Sequence, residues 1–174
     1  GSGVEIARFG IRLVPIGDAD LEQVRTWRNL PQIREQMVFR DLITPEMQRA
    51  WFAALDKAKN LYWIIEAAGA RVGVIHLKDI DLELKSAEWG IYIVDEERGA
   101  MAVLKSAIAL FDVAFDELGL ERIRATVLPT NDRAIRMNVA LGMSAVESTT
   151  TALQYEVTPE RYRAARPRFR AVLR

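Results

Sequence analysis

The sequence predicts a single mixed α/β (α+β) domain built around one layered sheet. Its length of 174 residues favours one domain, and its 50% apolar content suffices for one sizeable core. Segments rich in β-formers alternate with segments of helical periodicity in the order β-α-α-α-β-β-β-α-β-α-β. Because neither repeats nor low-complexity stretches interrupt that order, strands and helices are expected to pack in layers.

The N-terminal half is predicted to contain one strand followed by three helices. After the strand, apolar residues recur at helical spacing, and acidic residues precede them as candidate N-caps. Pro31 and Thr44 stand where the second and third helices begin, since proline suits the first helical turn and threonine suits the cap. The predicted ranges are 10–16 for the strand and 18–29, 31–37 and 44–58 for the helices.

The second half is predicted to begin with three consecutive strands and then to alternate helices with strands. The AGAR segment (68–71) marks a hairpin turn between the first two of these strands. Gly119 and Gly142 stand where the two later helices end. The predicted ranges are 61–68, 71–81 and 86–95 for the strands, then a helix over 100–118, a strand over 121–128, a helix over 131–141 and the last strands within 144–157.

The composition excludes several kinds of site. The chain has no cysteine, which excludes disulfides, thiolate catalysis and zinc–sulfur centres. It has a single histidine, His76, so a multi-histidine metal site is impossible and no metal is expected. No apolar run approaches 18 residues and no signal peptide is recognised. We therefore expect a cytoplasmic protein without membrane contact.

Charge is unevenly distributed, although the chain carries 24 basic and 24 acidic residues. Six arginines and one acid, Glu160, fall in a tail over 158–174, so the domain over 4–157 is acidic overall. We expect the tail to form a helix that rests on acidic surface. Nucleic-acid binding is the weaker alternative, because the domain has no matching basic face and would repel phosphate.

Three segments in the C-terminal half resemble the GNAT acyltransferase superfamily, and the resemblance extends from Ile11 to about Val157. AEWGIYIVD (87–95) is similar to the fourth strand of that family. FDELGLERIRATVLPTNDRAI (115–135) is similar to its long-helix end, its fifth strand and the helix that follows. NVALGM (138–143) stands where the family has a Leu-Gly-Phe ending.

The N-terminal half resembles a narrower group within that superfamily. The segments that carry this likeness are WRN (27–29), Met37, ITPEMQRAWF (43–52), YWIIE (62–66) and VGVIHLKDID (72–81). They are similar to the amino-sugar-nucleotide N-acetyltransferases of pseudaminic acid biosynthesis. The ribosomal-protein N-acetyltransferases are the next nearest group.

The resemblance implies a fold and an activity. The sheet is expected to be mixed and mostly antiparallel, with helices on both faces. Its fourth and fifth strands, near 87–94 and 121–128, are expected to be parallel and to splay apart at their C-terminal ends. The implied reaction is direct attack of a substrate amine on the thioester of acetyl-CoA. The implied substrate is an amino-sugar nucleotide, and the implied assembly is a homodimer.

The turn between the fourth strand and the long helix is the implied site for the coenzyme pyrophosphate, which helix N-termini attract. The family prefers glycine or alanine where this chain has Met101 and Val103. Four interpretations stay open: the methionine points away, the register shifts by one residue, the turn has lost the coenzyme, or it is an ordinary capped turn. The expected coenzyme contacts are Ile91, Ile93, Val94, Arg98, Gly99, Ala100, Met101, Ala102, Val103, Asn131 and Arg133.

Amine acetylation requires a base that removes a proton from the ammonium form of the substrate. Glu88 stands where relatives carry a substrate-facing glutamate, and on a strand it shares a face with Tyr92. A cross-strand ion pair with Lys78 is the alternative role for Glu88. The resemblance assigns the oxyanion donor to a backbone N–H within 91–93.

The expected residue beside the leaving sulfur is Asn138, seven positions after Asn131, where relatives often have a tyrosine. An asparagine hydrogen-bonds sulfur but is not an acid at neutral pH. The thiolate is then protonated by water or by another tyrosine, such as Tyr92.

Polar residues of the N-terminal half are the candidates for acceptor binding. Arginine side chains are suited to a nucleotide phosphate. A lone histidine on a strand is alternatively a structural residue, and the tryptophans at 27, 51 and 63 are expected to pack in the core. The expected substrate contacts are Arg28, Asn29, Met37, Arg40, Gln48 and His76.

Three functions from different classes are compatible with the sequence. The first is acetyl transfer from acetyl-CoA to an amino-sugar nucleotide or similar small amine. The second is a GNAT-fold binding module that has lost the transfer reaction, for which Met101, Val103 and Asn138 argue. The third is acetylation of a protein N-terminus. We favour the first.

Overall fold

The computed structural model describes residues 4–149 and 151–174, so Thr150, within the predicted C-terminal strands, lies outside the described residues. The described residues form one eight-stranded sheet in which every neighbouring pair is antiparallel except one. The strands are β1 Ile6–Arg8, β2 Ile11–Pro15, β3 Leu61–Ala67, β4 Ala70–Asp81, β5 Ser86–Ile93, β6 Arg122–Val127, β7 Ser144–Ala145 and β8 Leu153–Val157. Their order in the sheet is β1-β2-β3-β4-β5-β6-β8-β7, and the parallel pair is β5–β6.

Helices cover both faces of the sheet, and together with the mixed sheet they confirm the predicted fold class. They are α1 Leu21–Asn29, α2 Pro31–Arg34, α3 Pro45–Ala54, α4 Glu96–Gly99, α5 Ala102–Asp112, α6 Asp132–Ala140 and α7 Pro159–Ala165. Thr44 caps α3 by accepting from the Met47 N–H (3.1 Å), and Asn131 caps α6 by accepting from the Ala134 N–H (3.2 Å).

Alternation along the strands divides the apolar side chains between two cores. In β3, Trp63 enters the larger core beneath α5, whereas Tyr62 and Ile64 face the smaller core beneath α1 and α3. Trp27 and Trp51 pack against the smaller core. The three tryptophans therefore have the packing roles that their apolar neighbours predicted.

The parallel strands separate, as predicted. β5 and β6 pair only at Ser86–Arg122, Ala87–Ile123 and Glu88–Arg124. Beyond that point β5 continues on β4 and β6 continues on β8. The two halves of the sheet therefore diverge toward the C-terminal ends of these strands.

Several predicted boundaries are wrong. The strand predicted over 10–16 is one arm of a hairpin, because Phe9 and Gly10 (φ 56° and 81°) form a tight turn that reverses the chain after β1. The helix predicted over 44–58 ends at Ala54, since Leu55 is extended (ψ 125°). The helix predicted over 31–37 likewise ends early, at Arg34, whereas the helix predicted over 131–141 is confirmed, with Asn131 and Leu141 as its caps.

The long helix predicted over 100–118 has two parts. After the separate turn α4, α5 covers Ala102–Asp112, and a π-helical turn over Val113–Glu117 ends the helix. In that turn the Leu118 N–H donates to the Val113 carbonyl (3.0 Å), five residues back. Apolar periodicity does not distinguish this hydrogen-bond pattern from an α-helix, so the sequence missed it.

The C-terminal segment is fixed to α5 by a buried carboxylate. Asp112 accepts hydrogen bonds from the Tyr162 hydroxyl (2.7 Å) and from Nε and Nη2 of Arg166 (2.9 and 2.7 Å). The hydrogen bonds that Arg166 donates to Asp112 raise the pKa of Arg166, and burial raises the pKa of Tyr162. Tyr162 and Phe169 are buried in the larger core. The boundary between the domain over 4–157 and the tail over 158–174 stays a prediction.

We predict that Asp112→Asn lowers the free energy of unfolding by about 2 kcal/mol, because it leaves a partly buried guanidinium without a counter-charge. Asp116→Asn is the matched control. Asp116 and its partner Arg163 have side chains that are 60% and 56% exposed, so we expect a loss below about 1 kcal/mol. Urea unfolding at neutral pH measures the free energy of unfolding of both variants. Equal losses would contradict a stabilising role for the buried contact between Asp112 and Arg166.

Candidate active site

The separated ends of β5 and β6 open a gap at one edge of the sheet. β5 leads through α4 into α5, and β6 leads into α6, so the N-termini of α5 and α6 border the gap. Helix N-termini carry partial positive charge and unpaired N–H groups. This edge of the sheet is therefore suited to an anionic ligand.

The glycine in the turn between β5 and α5 is required by packing. Gly99 is buried, and a Cβ there would lie 2.6 Å from Cγ2 of Ile93 and 3.4 Å from Cβ of Val72. Asp95 shapes the same turn, since its Oδ1 accepts from the Arg98 N–H (3.0 Å). The glycine therefore allows α4 to approach the sheet closely, whatever the turn binds.

The start of α5 lies at the edge of the gap. The first N–H groups of α5, those of Ala102, Val103 and Leu104, have no acceptor within α5 itself, as at the start of any helix. Met101 is 53% exposed, so its side chain lies in solvent, as does Ala100. Of the four interpretations of this turn, the geometry favours a methionine that points away from it.

The backbone of β5 presents further donors to the gap. The Val94 N–H donates to the Val72 carbonyl of β4 (2.7 Å). Backbone groups of a strand point alternately to its two neighbours, so strand geometry directs the N–H groups of Ile91 and Ile93 away from β4 and toward the gap. Their side chains pack against the larger core.

Both arginines that were expected to contact the coenzyme have acidic partners. Nη1 of Arg133 donates to Oε1 and Oε2 of Glu96 (2.9 and 3.1 Å). Nε of Arg98 lies 3.9 Å from Oδ2 of Asp95. All four side chains are at the surface or partly exposed, so these pairs can open.

Glu88 lies where the parallel strands part, with its side chain 17% exposed. The Thr126 hydroxyl is 3.4 Å from Oε1, Nζ of Lys78 is 3.6 Å from Oε2, and Nη1 of Arg124 is 4.0 Å from Oε1. The ion pair with Lys78 that stood as the alternative is thus present. It does not exclude a role as base, since these contacts also hold the carboxylate at the mouth of the gap.

Tyr92 shares the face of β5 that carries Glu88 and is 8% exposed. Its hydroxyl is buried and has no hydrogen-bond partner in the described ranges. Burial raises the pKa of Tyr92, so the hydroxyl keeps its proton at neutral pH. It is a donor that a ligand can use.

Asn138 does not have the expected position beside a leaving sulfur. It is 3% exposed, its Oδ1 accepts from Nε1 of Trp89 (2.9 Å), and its Nδ2 donates to the Ala134 carbonyl (2.9 Å). Both ends of the amide are therefore occupied within the protein. Trp89 is on the opposite face of β5 from Glu88. This contact therefore links α6 to the larger core and not to the sheet face that carries Glu88.

Two of the expected acceptor residues serve the fold instead. Asn29 donates to and accepts from the backbone of Ile43 (2.9 and 2.8 Å), which fastens α1 to the segment before α3. Gln48 is buried and donates to the Leu21 carbonyl (3.4 Å). These contacts correct the expectation that both side chains are free to read a substrate.

Met37 and Arg40 lie on the segment between α2 and α3. Nε of Arg40 donates to the Met37 carbonyl (3.1 Å), and the Met37 side chain packs against the smaller core. Neither is brought into contact with Glu88 by any hydrogen bond or ion pair of the described residues. Their role toward a substrate stays a prediction.

His76 lies on the sheet face that carries Glu88 and Tyr92. In register across three strands lie Tyr62, His76 and Gly90, and the rings of Tyr62 and His76 are 5.1 Å apart. A Cβ on residue 90 would lie 2.4 Å from Cε1 of His76, so the glycine makes the space that the imidazole fills. Burial lowers the pKa of His76 to about 3, and the ring is neutral at physiological pH.

Arg28 is a half-buried cation without a partner. Its Nε is buried and unpaired, and no hydrogen bond or ion pair to Arg28 occurs in residues 4–149 or 151–174. Its charge acts on the pKa of Tyr62, His76 and Tyr92, which places the guanidinium near all three. Burial raises the pKa of Tyr62 to about 12, so the Tyr62 hydroxyl is uncharged at neutral pH.

Sequence reasoning missed several members of the site. Tyr62 flanks His76, Thr126 and Arg124 flank Glu88, and Trp89 holds Asn138. The polar residues of β6 were visible in the sequence, but their partners depend on the register between strands. That register is a property of the sheet and not of any one strand.

Metal sites and membrane-spanning helices are both absent from the described residues. Within the described ranges, no three His, Asp or Glu side chains are grouped so that they could hold a metal ion. In the same ranges no helix has the length and apolar character needed to cross a bilayer.

Comparison with known proteins identifies relatives of this architecture. A family model described as "Acetyltransferase (GNAT) domain" matches residues 11–144. FdhC, a nucleotide-linked sugar GNAT solved in its apo form, has a TM-score of 0.81 and 19% identity, covering 99% of this chain and 99% of that one. A search of curated proteins finds no match.

Two other solved structures show the same fold. A domain from Methanocaldococcus jannaschii DSM 2661 has a TM-score of 0.73 and 22% identity, covering 85% of this chain and 97% of that one. The spermidine N-acetyltransferase from Vibrio cholerae, in a dodecameric structure, has a TM-score of 0.71 and 16% identity, covering 88% and 96%.

We predict that acidification destabilises the protein through His76. Its folded pKa of about 3 lies below the reference value of 6.5, so between these values the unfolded chain binds a proton that the folded protein does not. The contribution of neutral His76 is complete above pH 6.5 and falls by about 2 kcal/mol between pH 6.5 and 5. Urea unfolding at both pH values should show a shallower loss in His76→Gln; an equal loss in parent and variant would contradict the prediction.

Proposed function

The chain belongs to the GNAT acetyltransferase family, and on that premise we propose that it acetylates the amine of a small acceptor that carries an anionic group, an amino-sugar nucleotide being the expected class. The protein is an N-acetyltransferase with acetyl-CoA as co-substrate. The acceptor, the residue roles, a cytoplasmic location and a homodimeric assembly are the proposed parts.

Coenzyme binding is assigned to the gap between β5 and β6. The first N–H groups of α5, at 102–104, would face the pyrophosphate, and Arg98 and Arg133 would neutralise phosphate charge. Asn131 would act indirectly, since its side chain caps α6. The fit rests on the start of a helix of 11 residues at the gap.

The residues at the fork of the sheet would perform the transfer. Acetyl-CoA supplies the acetyl group as a thioester. Glu88 takes a proton from the acceptor ammonium, and the freed amine forms the amide bond as the carbon–sulfur bond breaks. The N–H groups of Ile91 and Ile93 offer hydrogen bonds to the carbonyl oxygen as negative charge develops on it. The second amine proton, released as the amide forms, passes through water to the leaving thiolate, because the Tyr92 hydroxyl, whose pKa burial raises, lies with the group around Arg28.

The observation that carries the acceptor class is the unpaired charge of Arg28. The buried Nε of Arg28 has no acceptor, which is costly unless a ligand oxygen reaches it, and Tyr62, His76 and Tyr92 carry no charge at neutral pH that could balance the cation. Tyr92 and His76 add polar atoms that also have no partners in the described ranges. An anionic oxygen of the acceptor would satisfy this cluster with charge-assisted hydrogen bonds.

The spacing along β5 favours an extended acceptor. Glu88 and Tyr92 are four residues apart on one strand face, which corresponds to roughly 13 Å. His76 lies between them, over Gly90. An amine at Glu88 and an anion at Arg28 are therefore separated by more than an α-amino acid spans, whereas a sugar between amine and phosphate suits the distance.

The two other functions have less support. Family membership places the chain among acetyltransferases, which argues against a binding module without catalysis. Met101 and Asn138, which favoured such a module, lie in solvent and in the interior respectively, where neither obstructs the gap. Acetylation of a protein N-terminus would leave the charge of Arg28 without an obvious partner.

We predict that Glu88→Gln lowers turnover by about 10²–10⁴-fold, because the amide cannot accept the ammonium proton. Affinity for acetyl-CoA, measured by calorimetry, should be nearly unchanged. Glu66→Gln is the matched control, since Glu66 forms a cross-strand ion pair with Arg12 (3.0 Å) on β3, two strands away from β5. Turnover of Glu88→Gln equal to that of the control, across the pH range, would assign Glu88 to structure.

We predict that Arg28→Gln raises the KM for an amino-sugar nucleotide by about 10- to 100-fold, the effect of losing a hydrogen bond to a charged group. The KM for the same amino sugar without its nucleotide should change little. Arg49→Gln is the control, because Arg49 is an exposed arginine of α3 (side chain 65% exposed). An equal rise for both acceptors would refute the anion site while leaving the transfer reaction intact.

A further inference from the structure

We propose that Glu96 is an internal competitor of the coenzyme: its carboxylate holds Arg133, and a coenzyme phosphate must displace it. Arg133 meets both oxygens of this carboxylate, at 2.9 and 3.1 Å. A guanidinium binds carboxylate and phosphate through the same N–H donors, so the two acids exclude one another. The inference rests on the proposed coenzyme site at the gap.

The contact crosses the gap between the two halves of the sheet. Glu96 opens α4 on the β5 side, and Arg133 is the second residue of α6 on the β6 side. The strands that lead to them have no ladder pair beyond Glu88 and Arg124. The ion pair therefore joins the two sides of the gap that the strand ladder leaves apart, at the edge where α5 begins.

The neighbouring acids show that this pairing is specific. Asp95 caps α4 and approaches Arg98, so its carboxylate is committed to its own turn. Glu97 is exposed and has no ion pair among residues 4–149 and 151–174. Of the three consecutive acids, only Glu96 reaches across the gap, and Glu97 offers a control of equal charge one position away.

Displacement of Glu96 from Arg133 requires no unfolding, and its effect on coenzyme affinity is modest. The side chains of Arg133 and Glu96 are 73% and 62% exposed, so each can rotate into solvent. Exposed ion pairs are weak and are screened by salt. Removing the competitor should therefore tighten coenzyme binding by about two- to fivefold at low ionic strength, and the gain should fade as salt is added.

The test is calorimetric binding of acetyl-CoA to the full-length parent, Glu96→Gln and Glu97→Gln. We expect Glu96→Gln to bind about two- to fivefold more tightly than Glu97→Gln at low salt, and we expect the two to converge near about 0.5 M salt. Both variants remove one negative charge from the same turn, so their difference isolates the contact with Arg133.

The same comparison in an Arg133→Gln background supplies the decisive control. If Glu96 acts through Arg133, Glu96→Gln and Glu97→Gln should be indistinguishable there. Equal affinities of Glu96→Gln and Glu97→Gln in the protein that retains Arg133 would overturn the competition and leave the proposed transfer intact. A difference that persists in the Arg133→Gln background would also overturn it. Failure of the parent to bind acetyl-CoA would remove the coenzyme site as well.

Discussion

The separation of β5 from β6 is the constraint on which the site depends. A parallel strand pair forms even hydrogen bonds along its length unless other neighbours draw the strands apart, and here β5 follows β4 while β6 follows β8. The separation leaves strand N–H groups without a partner strand and turns the starts of α5 and α6 toward one opening. It also sets Glu88 at the fork, next to the last ladder pair.

The two faces of β5 divide the tasks of packing and chemistry. Trp89, with Ile91 and Ile93, faces the larger core, and its indole holds Asn138 on α6. Glu88 and Tyr92 face the smaller core, where His76 fills the space above Gly90. Because side chains alternate strictly along a strand, one eight-residue segment supports both layers at once.

Charge is handled differently on the two sides of the sheet. At the proposed coenzyme gap the arginines are exposed and paired with acids of the turn between β5 and α5, so an anion meets cations that are already partly neutralised. At the proposed acceptor side Arg28 is half-buried among uncharged groups. A cation with a buried donor atom and no acidic partner among the described residues attracts an anion more strongly than a neutralised one, which is why Arg28 carries the argument for the acceptor.

The sequence alone determined the fold class, most of the element order and the caps at Thr44 and Asn131, because spacing and capping are local properties of the chain. It placed Glu88 and Tyr92 on one face for the same reason. The splay of the parallel strands followed from the resemblance to the family. Only the tertiary structure decided that Asn138 binds Trp89, that Asn29 holds Ile43 and that Arg28 has no partner in the described residues. Partners are set by strand register and by how helices cross the sheet, and neither is encoded in the spacing of a single segment.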